Sequence, residues 1–148
     1  MLKDRWSYRW YLETAVTSCD FWKSDEIFDC AYNHYIYQTG YRYKGRVIGH
    51  AADNDARVLT IGGAMVAPGN TFWHALIRVG RLNRGGTLDA ENSLTIGPQN
   101  YSGVELIHSR ATRLGRFDFG VGYHSFDKAS HTLGSREFNA FIQWNSDT

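Results

Sequence analysis

The chain has 148 residues, with 16 lysines and arginines against 15 aspartates and glutamates, and a formal net charge of +1. This length fits one small domain, and a charge so close to zero argues against nucleic acid as a partner, because duplex binding needs a clustered excess of Lys and Arg. Aromatic residues make up 15% of the chain, and 15 glycines stand against two prolines. This mixture favours strands joined by turns, so we expect an all-β fold.

Four segments alternate between apolar and polar residues, which is the pattern of strands with one apolar face, and two further runs are also predicted as strands, although Gly62 and Gly63 blur the alternation in the first of these two. The clearest of them places Phe119 and Val121 on one face, with Asp118 and Gly120 on the other. Each segment is about ten residues long, near the length that a tilted strand needs to cross a bilayer. In chain order the predicted strands are 5–16, 57–66, 71–80, 101–111, 116–126 and 137–144.

The connections between these strands differ in length in a regular way. Residues 67–70 and 112–115 are short turns, whereas 17–56, 82–100 and 125–135 are long and polar. If the strands run antiparallel in chain order, all the long connections fall at one end and all the short ones at the other. Outer-membrane barrels combine long extracellular loops with short periplasmic turns. We therefore expect antiparallel strands of an outer-membrane β-barrel, with the long loops extracellular and the C-terminus periplasmic.

The number of strands bears on whether such a barrel is complete. Single-chain membrane barrels begin at about eight strands, and an open edge in lipid leaves backbone groups unpaired at a cost of several kcal/mol each. Residues 1–148 are therefore predicted to be an incomplete, C-terminal portion of a larger barrel, with the remainder supplied by N-terminal sequence. The aromatic residues near the strand ends suit an interfacial girdle, although a soluble β-sandwich would place the same residues in its core.

Cys19 and Cys30 are the only cysteines, and both lie in the first long loop. In an exported protein they would form a disulfide that closes a short loop and contributes about 2 to 3 kcal/mol. The alternative is a pair of free thiols in a cytosolic protein. Zinc would need further ligands, and calcium at the DNDA segment would need a distal bidentate Glu, so we expect no metal and no other cofactor.

Catalytic motifs receive little support from the sequence. Ser109 and His108 are neighbours in a predicted strand and point to opposite faces, and no nucleophile elbow occurs. A barrel lipid hydrolase would need a serine placed for His34, and none can be identified. Opposed charges on the predicted inner face, such as Arg78 and Glu105, are more typical of a filled interior than of a channel. We expect no enzyme, with a barrel porin or lipid hydrolase as alternatives.

The first long loop concentrates aromatic and cationic groups in the segment YNHYIYQTGYRYKGRVIGHAADNDAR. Tyrosine rings stack on the apolar faces of sugars, and arginine and lysine pair with carboxylates. An exposed loop with both groups suits an acidic polysaccharide, and a plug in the barrel mouth is a compatible interpretation. The predicted polysaccharide contacts, two of them from the next long loop, are Tyr41, Arg42, Tyr43, Lys44, Arg46, His50, Arg81 and Arg84.

Parts of the sequence resemble the capsule assembly Wzi family of bacterial outer-membrane proteins. They are CAYNHYIYQTGYRYKGRVIGHAADNDARVLTIGG, ALIRVGRLNRGG and REFNAFIQW, of which GYRYKGRVIGHAADNDAR is the most specific. The resemblance covers nearly the whole chain. It implies an outer-membrane barrel preceded by a periplasmic helical portion, and a lectin-like, non-enzymatic role in holding capsular or exopolysaccharide at the cell surface. Polysaccharide and outer-membrane lipid are then the partners, and a soluble β-sandwich carbohydrate-binding protein remains an alternative.

Overall fold

The computed structural model describes residues 5–32, 36, 42–43, 46–86, 92, 94–95, 97–127 and 135–146, with the backbone alone for Arg42 and residues 46–47. Every regular element in this part of the chain is a strand. The strands are β1 (Ser7–Val16), β2 (Arg42–Tyr43), β3 (Arg46–Val47), β4 (Arg57–Ala67), β5 (Thr71–Leu82), β6 (Gln99–Thr112), β7 (Gly115–Phe126) and β8 (Arg136–Asn145). No helix among the described residues has the length and apolar character to span a membrane.

Strands β1 and β4 to β8 form one six-stranded antiparallel sheet in the order of the chain. The predicted all-β, antiparallel fold is confirmed, and each strand boundary lies within two residues of the prediction. The β4–β5 turn uses Gly69 and Asn70 at φ values of 83° and 59°, which glycine and asparagine adopt at little cost. The long connections all lie at the opposite end, called here the loop end. Described strands β1 and β8 form the two edges of the sheet, which does not close.

One face of the sheet, called here the outward face, is apolar. In its middle, Trp10 pairs with Gly63, and Leu106 pairs with Val121. Val121 is 46% exposed, whereas Asp118, on the same strand but on the other face, is 8% exposed. Large apolar side chains exposed on the outward face include Trp10, Leu12, Ile61, Ile77, Val104, Phe119, Tyr123, Phe138 and Ile142. A surface of this extent requires an apolar environment or a partner, because soluble monomers rarely expose so large an apolar patch.

The opposite, inner face carries polar groups and aromatic rings that lie close to the sheet. The Tyr11 ring covers Gly62 on β4, and the Phe141 ring covers Gly120 on β7. Only a residue without a Cβ leaves room for such a ring against the backbone of the neighbouring strand. The Tyr11 hydroxyl lies 2.9 Å from His74 Nε2, which fixes the direction of the ring. The inner face is therefore lined by flat rings and hydrogen-bonded polar groups.

The small buried core lies at the loop end of the inner face. It consists of Ala52, Ala56, Val58, Leu82 and Phe126, and partly buried Leu94 and Tyr101 pack against it. Ala52 and Ala56 come from the long loop after β1, whereas the other three buried residues come from β4, β5 and β7. The end of that loop thus folds back onto the inner face, and the apolar contacts there position the rest of the loop end.

Candidate functional site

A disulfide joins Cys19 to Cys30, with their Cα atoms 6.0 Å apart, and confirms the predicted pairing. Within the closed segment, the backbone N–H groups of Cys19 and Ile27 each donate to the carbonyl oxygen of the other at 2.9 Å. Two such hydrogen bonds and one covalent bond hold a short hairpin at the loop end. The segment 19–30 is therefore a constrained structure, although it has no long strand of its own.

Phe21 and Trp22 lie at the tip of this hairpin, and sequence reasoning did not single them out. Their side chains are 45% and 69% exposed, and the two rings pack edge to face with centroids 4.9 Å apart. Lys23 follows them and pairs with Asp20 at 3.0 Å. One feature of the sequence does indicate that these rings are exposed: the aromatic pair lies between two closely spaced cysteines. A disulfide there closes a short loop, which limits the ways in which the rings could be buried.

Glu26, from the same hairpin, ties the first long loop to the second. The two terminal nitrogens of Arg84 donate to the two carboxylate oxygens of Glu26 at 2.6 and 2.7 Å, and Ser18 Oγ donates to Oε1 at 2.5 Å. The hydrogen bonds from Arg84, followed by that from Ser18, lower the pKa of Glu26 from 4.5 to about 2. The pKa of Arg84 is raised by the same pair. We call this pair the loop latch.

The DNDA segment forms a second connection between the two loops. Asp53, Asn54 and Asp55 are fully buried. Asp55 Oδ1 accepts from the Asp29 backbone N–H at 2.8 Å, and the Asp55 carbonyl accepts from the Arg84 N–H at 3.0 Å. The side-chain amide of Asn92 donates to the Asn54 carbonyl at 3.3 Å. These polar groups join loop segments to one another, and no group of three or more His, Cys, Asp or Glu among the described residues is arranged to hold a metal ion.

The predicted polysaccharide contacts fall into different environments. Tyr43 is 66% exposed on the small β2–β3 hairpin. The backbones of Arg42 and Arg46 lie in the same hairpin, where Arg42 pairs with Val47 and Tyr43 with Arg46. Tyr41 and Lys44 lie outside the described residues.

The remaining three predicted contacts do not join this hairpin. His50 Nδ1 accepts from the Ala52 N–H at 3.1 Å, and its ring borders the inner face. Arg84 is committed to the loop latch and also covers the Phe28 ring at 5.4 Å. Arg81 was expected in a loop, but it lies within β5, because the β5–β6 ladder continues to the pair of Leu82 with Gln99. There it faces outward with Val79.

A cavity of about 590 Å³ lies between the loop segment 49–52 and the inner face of the sheet. The Tyr101 hydroxyl lies 3.0 Å from His124 Nδ1, and their rings stack with centroids 6.0 Å apart. Arg78 and Glu105 form an ion pair beside them. Sugar-binding sites commonly combine flat aromatic rings with hydrogen-bond donors and acceptors, and this cavity has both, together with one positive and one negative side chain.

Comparison with solved structures gives one significant relative. It is described as Wzi, an outer-membrane protein involved in group 1 capsule assembly in Escherichia coli, a carbohydrate-binding β-barrel. The TM-score is 0.71 at 17% sequence identity, over 93% of this chain. This similarity shows that the six-stranded sheet has the fold of part of a β-barrel wall. The chain spans only 30% of the length of that barrel chain.

Comparisons at the level of sequence give the family. No curated protein matches the chain significantly. The family model described as capsule assembly protein Wzi matches residues 1–131. This match covers most of the 148 residues, includes the hairpin, the loop latch and five of the six strands of the sheet, and agrees with the resemblance seen in the sequence. The chain belongs to the capsule assembly protein Wzi family.

Proposed function

We propose that this chain forms part of the wall and surface loops of an outer-membrane β-barrel that binds capsular or exopolysaccharide and helps attach it to the bacterial cell. Family membership supports this role, and the related structure is described as a carbohydrate-binding outer-membrane barrel. The apolar outward face suits contact with lipid. The role involves binding alone, without a catalytic step.

In this proposal the loop end is extracellular, and the short turns and the C-terminus are periplasmic. The asymmetry of connection lengths supports that direction. Edge strands β1 and β8 need partners in lipid, because unpaired backbone groups are costly there. We propose that N-terminal sequence of the whole protein supplies the missing strands, which agrees with the 30% of the related barrel that this chain spans.

The observation that carries the binding proposal is the presence of exposed aromatic side chains on constrained loops. Trp22 lies on the disulfide hairpin, and Tyr43 lies on the β2–β3 hairpin. Rings that are already held in place lose little conformational entropy when a sugar stacks on them. Three neighbouring cations, Arg42, Lys44 and Arg46, would pair with the carboxylates of an acidic polymer.

We keep six of the eight predicted contacts in this proposal and give the other two different roles. The retained contacts are Tyr41, Arg42, Tyr43, Lys44, Arg46 and His50. Arg84 supports the site through the loop latch, since its guanidinium already binds Glu26. Arg81 faces outward from the sheet, away from the cavity on the inner face. Trp22 and Phe21 join the set as stacking surfaces.

Replacing Arg42, Lys44 and Arg46 together with Ser tests this proposal in cells that display the whole protein at normal level. Each exposed ionic contact contributes about 0 to 1 kcal/mol, so the effect depends on many contacts along a repeating polymer. We expect the variant to release polymer into the medium. In the matched control, Ser replaces Arg5, Arg110 and Arg113, which removes three charges near the opposite strand ends. Cells with this variant should retain polymer. Equal retention by both variants, with equal binding by the purified barrels, would contradict the proposal.

A further inference from the structure

Arg57 and Arg81 lie directly opposite each other in the β4–β5 ladder, and both face outward. We propose that this pair binds the phosphate groups of an anionic lipid in the outer leaflet of the membrane. The inference rests on the membrane location given under Proposed function, and it concerns the outward face, not the polysaccharide site.

The pair carries positive charge that the described residues leave largely uncompensated. Directly opposed side chains on antiparallel strands have Cβ atoms about 5 Å apart, where like charges destabilise the sheet. The nearest Glu26 oxygen lies 3.7 Å from Arg57, but hydrogen bonds from Arg84 and Ser18 already occupy that carboxylate. Arg81 makes no ion pair or side-chain hydrogen bond with any described residue. A bound anion between the two guanidinium groups would remove this repulsion.

The neighbouring strand offers no free carboxylate to either arginine in the described part of the chain. The partner of Arg81 on β6 is Asn100. Its side-chain amide donates to Asp127 Oδ2 at 2.5 Å, and its backbone N–H donates to the same oxygen at 3.2 Å. Asp127 is thus oriented by Asn100, and among the described residues it forms no ion pair with Arg81. Beyond the Glu26 oxygen near Arg57, a further counter-anion for the two arginines would therefore come from outside the described residues.

A groove of about 400 Å³ lies at the pair, and its lining changes character along the strands. Arg57, Arg81 and the loop-latch residue Arg84 line one part, whereas Leu59 and Val79 line another. Ile61 and Ile77 continue the apolar surface one pair further from the loop end. A membrane lipid presents its groups in this order, with phosphates at the headgroup and acyl chains below. The groove thus offers a basic part and an apolar part in the order in which the headgroup and the upper acyl chains of a lipid would lie along the outward face.

The direction of the two side chains favours lipid over the polysaccharide. Arg57 and Arg81 share the face of Leu59 and Val79, which meets the bilayer in the proposed arrangement, and they stand at its loop-end border. Arginine is well suited to this position because its planar guanidinium group binds phosphate oxygens in pairs. Basic residues next to a bilayer surface also favour anionic headgroups over neutral ones.

Binding of lipid A, a diphosphorylated glycolipid, to the whole protein in mild detergent tests the proposal by native mass spectrometry. The unmodified protein should hold lipid A in preference to phosphatidylcholine. The Arg57→Gln/Arg81→Gln variant should hold it about tenfold more weakly. The Arg57→Lys/Arg81→Lys variant keeps both charges and should hold it better than the Gln variant. The matched control, Arg110→Gln/Arg113→Gln, loses two charges at the turn end and should bind normally.

Three kinds of result would overturn the proposal. The first is equal binding of lipid A and phosphatidylcholine by the unmodified protein, or equal binding of lipid A by the unmodified and Gln proteins. The second is displacement of lipid A by inorganic phosphate alone, which would show a site for free anions. The third is displacement of lipid A by soluble acidic polysaccharide that binds the same arginines. That result would indicate that Arg81 contacts polysaccharide, as predicted from the sequence.

A separate measurement distinguishes failure of this inference from failure of the proposed function. The whole protein should float with vesicles in which phosphatidylcholine is mixed with lipid A as the sole anionic component. If it floats but shows no lipid A preference, the lipid site is wrong and the barrel assignment stands. If it does not associate with vesicles of any composition, the membrane location is wrong, and the lipid site is refuted with it. Polymer retention by cells is independent of both readouts.

Discussion

Replacing Glu26 with Gln should loosen the contact between the first two long loops while leaving the strands in place. The Glu26 carboxylate accepts from both terminal nitrogens of Arg84 and from Ser18. The side chains of Glu26 and Arg84 are only 15% and 17% exposed, so water screens this pair weakly. Glutamine retains one oxygen acceptor but loses the charge, and Arg84 would remain partly buried without a full counter-charge.

The expected cost of this change is about 1.5 to 3 kcal/mol, the range for a hydrogen bond to a charged group. It stays below the about 3 to 5 kcal/mol lost when a fully buried pair is broken, because Gln still accepts one bond. Local opening of the loops should then be about 10 to 100 times more frequent. Opening is measured by hydrogen exchange at the backbone amides of Cys19, Ile27 and Arg84, which are hydrogen-bonded within the loops.

The control for this measurement is Asp20→Asn, which removes an exposed ion pair of the same hairpin. Lys23 is 58% exposed in that pair, so its loss should cost about 0 to 1 kcal/mol. Asparagine also tolerates the positive φ of 51° at this position. If the three amides exchange no faster in Glu26→Gln than in Asp20→Asn, the loop latch does not hold the loops together and the reasoning is refuted.

The remaining predictions concern pH, the disulfide and the outward face. Because the folded pKa of Glu26 is lowered from 4.5 to about 2, exchange protection of the loops should stay constant above pH 4.5 and fall as pH drops towards 2, and Glu26→Gln should remove this dependence. Replacing Cys19 and Cys30 with Ser should destabilise the hairpin by about 3 kcal/mol, seen as faster proteolysis within residues 19–30 of the whole protein; unchanged proteolysis would refute this. Val121→Arg should cost about 2 to 4 kcal/mol of folding free energy in lipid, whereas Leu114→Arg in the exposed β6–β7 turn should be tolerated; equal costs would contradict the assignment of the lipid-facing side.

Sequence reasoning recovered the sheet because strand alternation is local. The period of two places Val121 and Asp118 on opposite faces whatever the neighbouring strands are, and the structure agrees. The order of the strands in the chain predicted which strands pair, since strands that follow one another in the sequence commonly lie next to each other in the sheet. The disulfide could also be predicted from the sequence, because the chain has a single pair of cysteines.

The loop end could not be derived in the same way, because its contacts join residues that are distant in sequence. Arg84 was assigned to polysaccharide binding from its charge alone, yet it lies against Glu26, 58 positions earlier in the chain. No periodicity connects two irregular loops. The direction of Arg81 depends on how far the β5–β6 ladder extends, and strand ends are poorly defined by alternation. Trp22 was missed because its exposure depends on the disulfide-closed hairpin, and the two flanking cysteines are the one feature of the sequence that indicates it.

The two rings that cover glycines, Tyr11 over Gly62 and Phe141 over Gly120, give a means of changing the interior width of the proposed barrel. A methyl group at Gly62 would occupy the space of the Tyr11 ring and turn that ring away from the wall. The same holds for Phe141 and Gly120. Replacing these two glycines with alanine would therefore narrow the interior of the proposed barrel without altering the outward face. In the proposed barrel, the width of the interior would then depend on which strands carry glycine beside a ring, as well as on the number of strands.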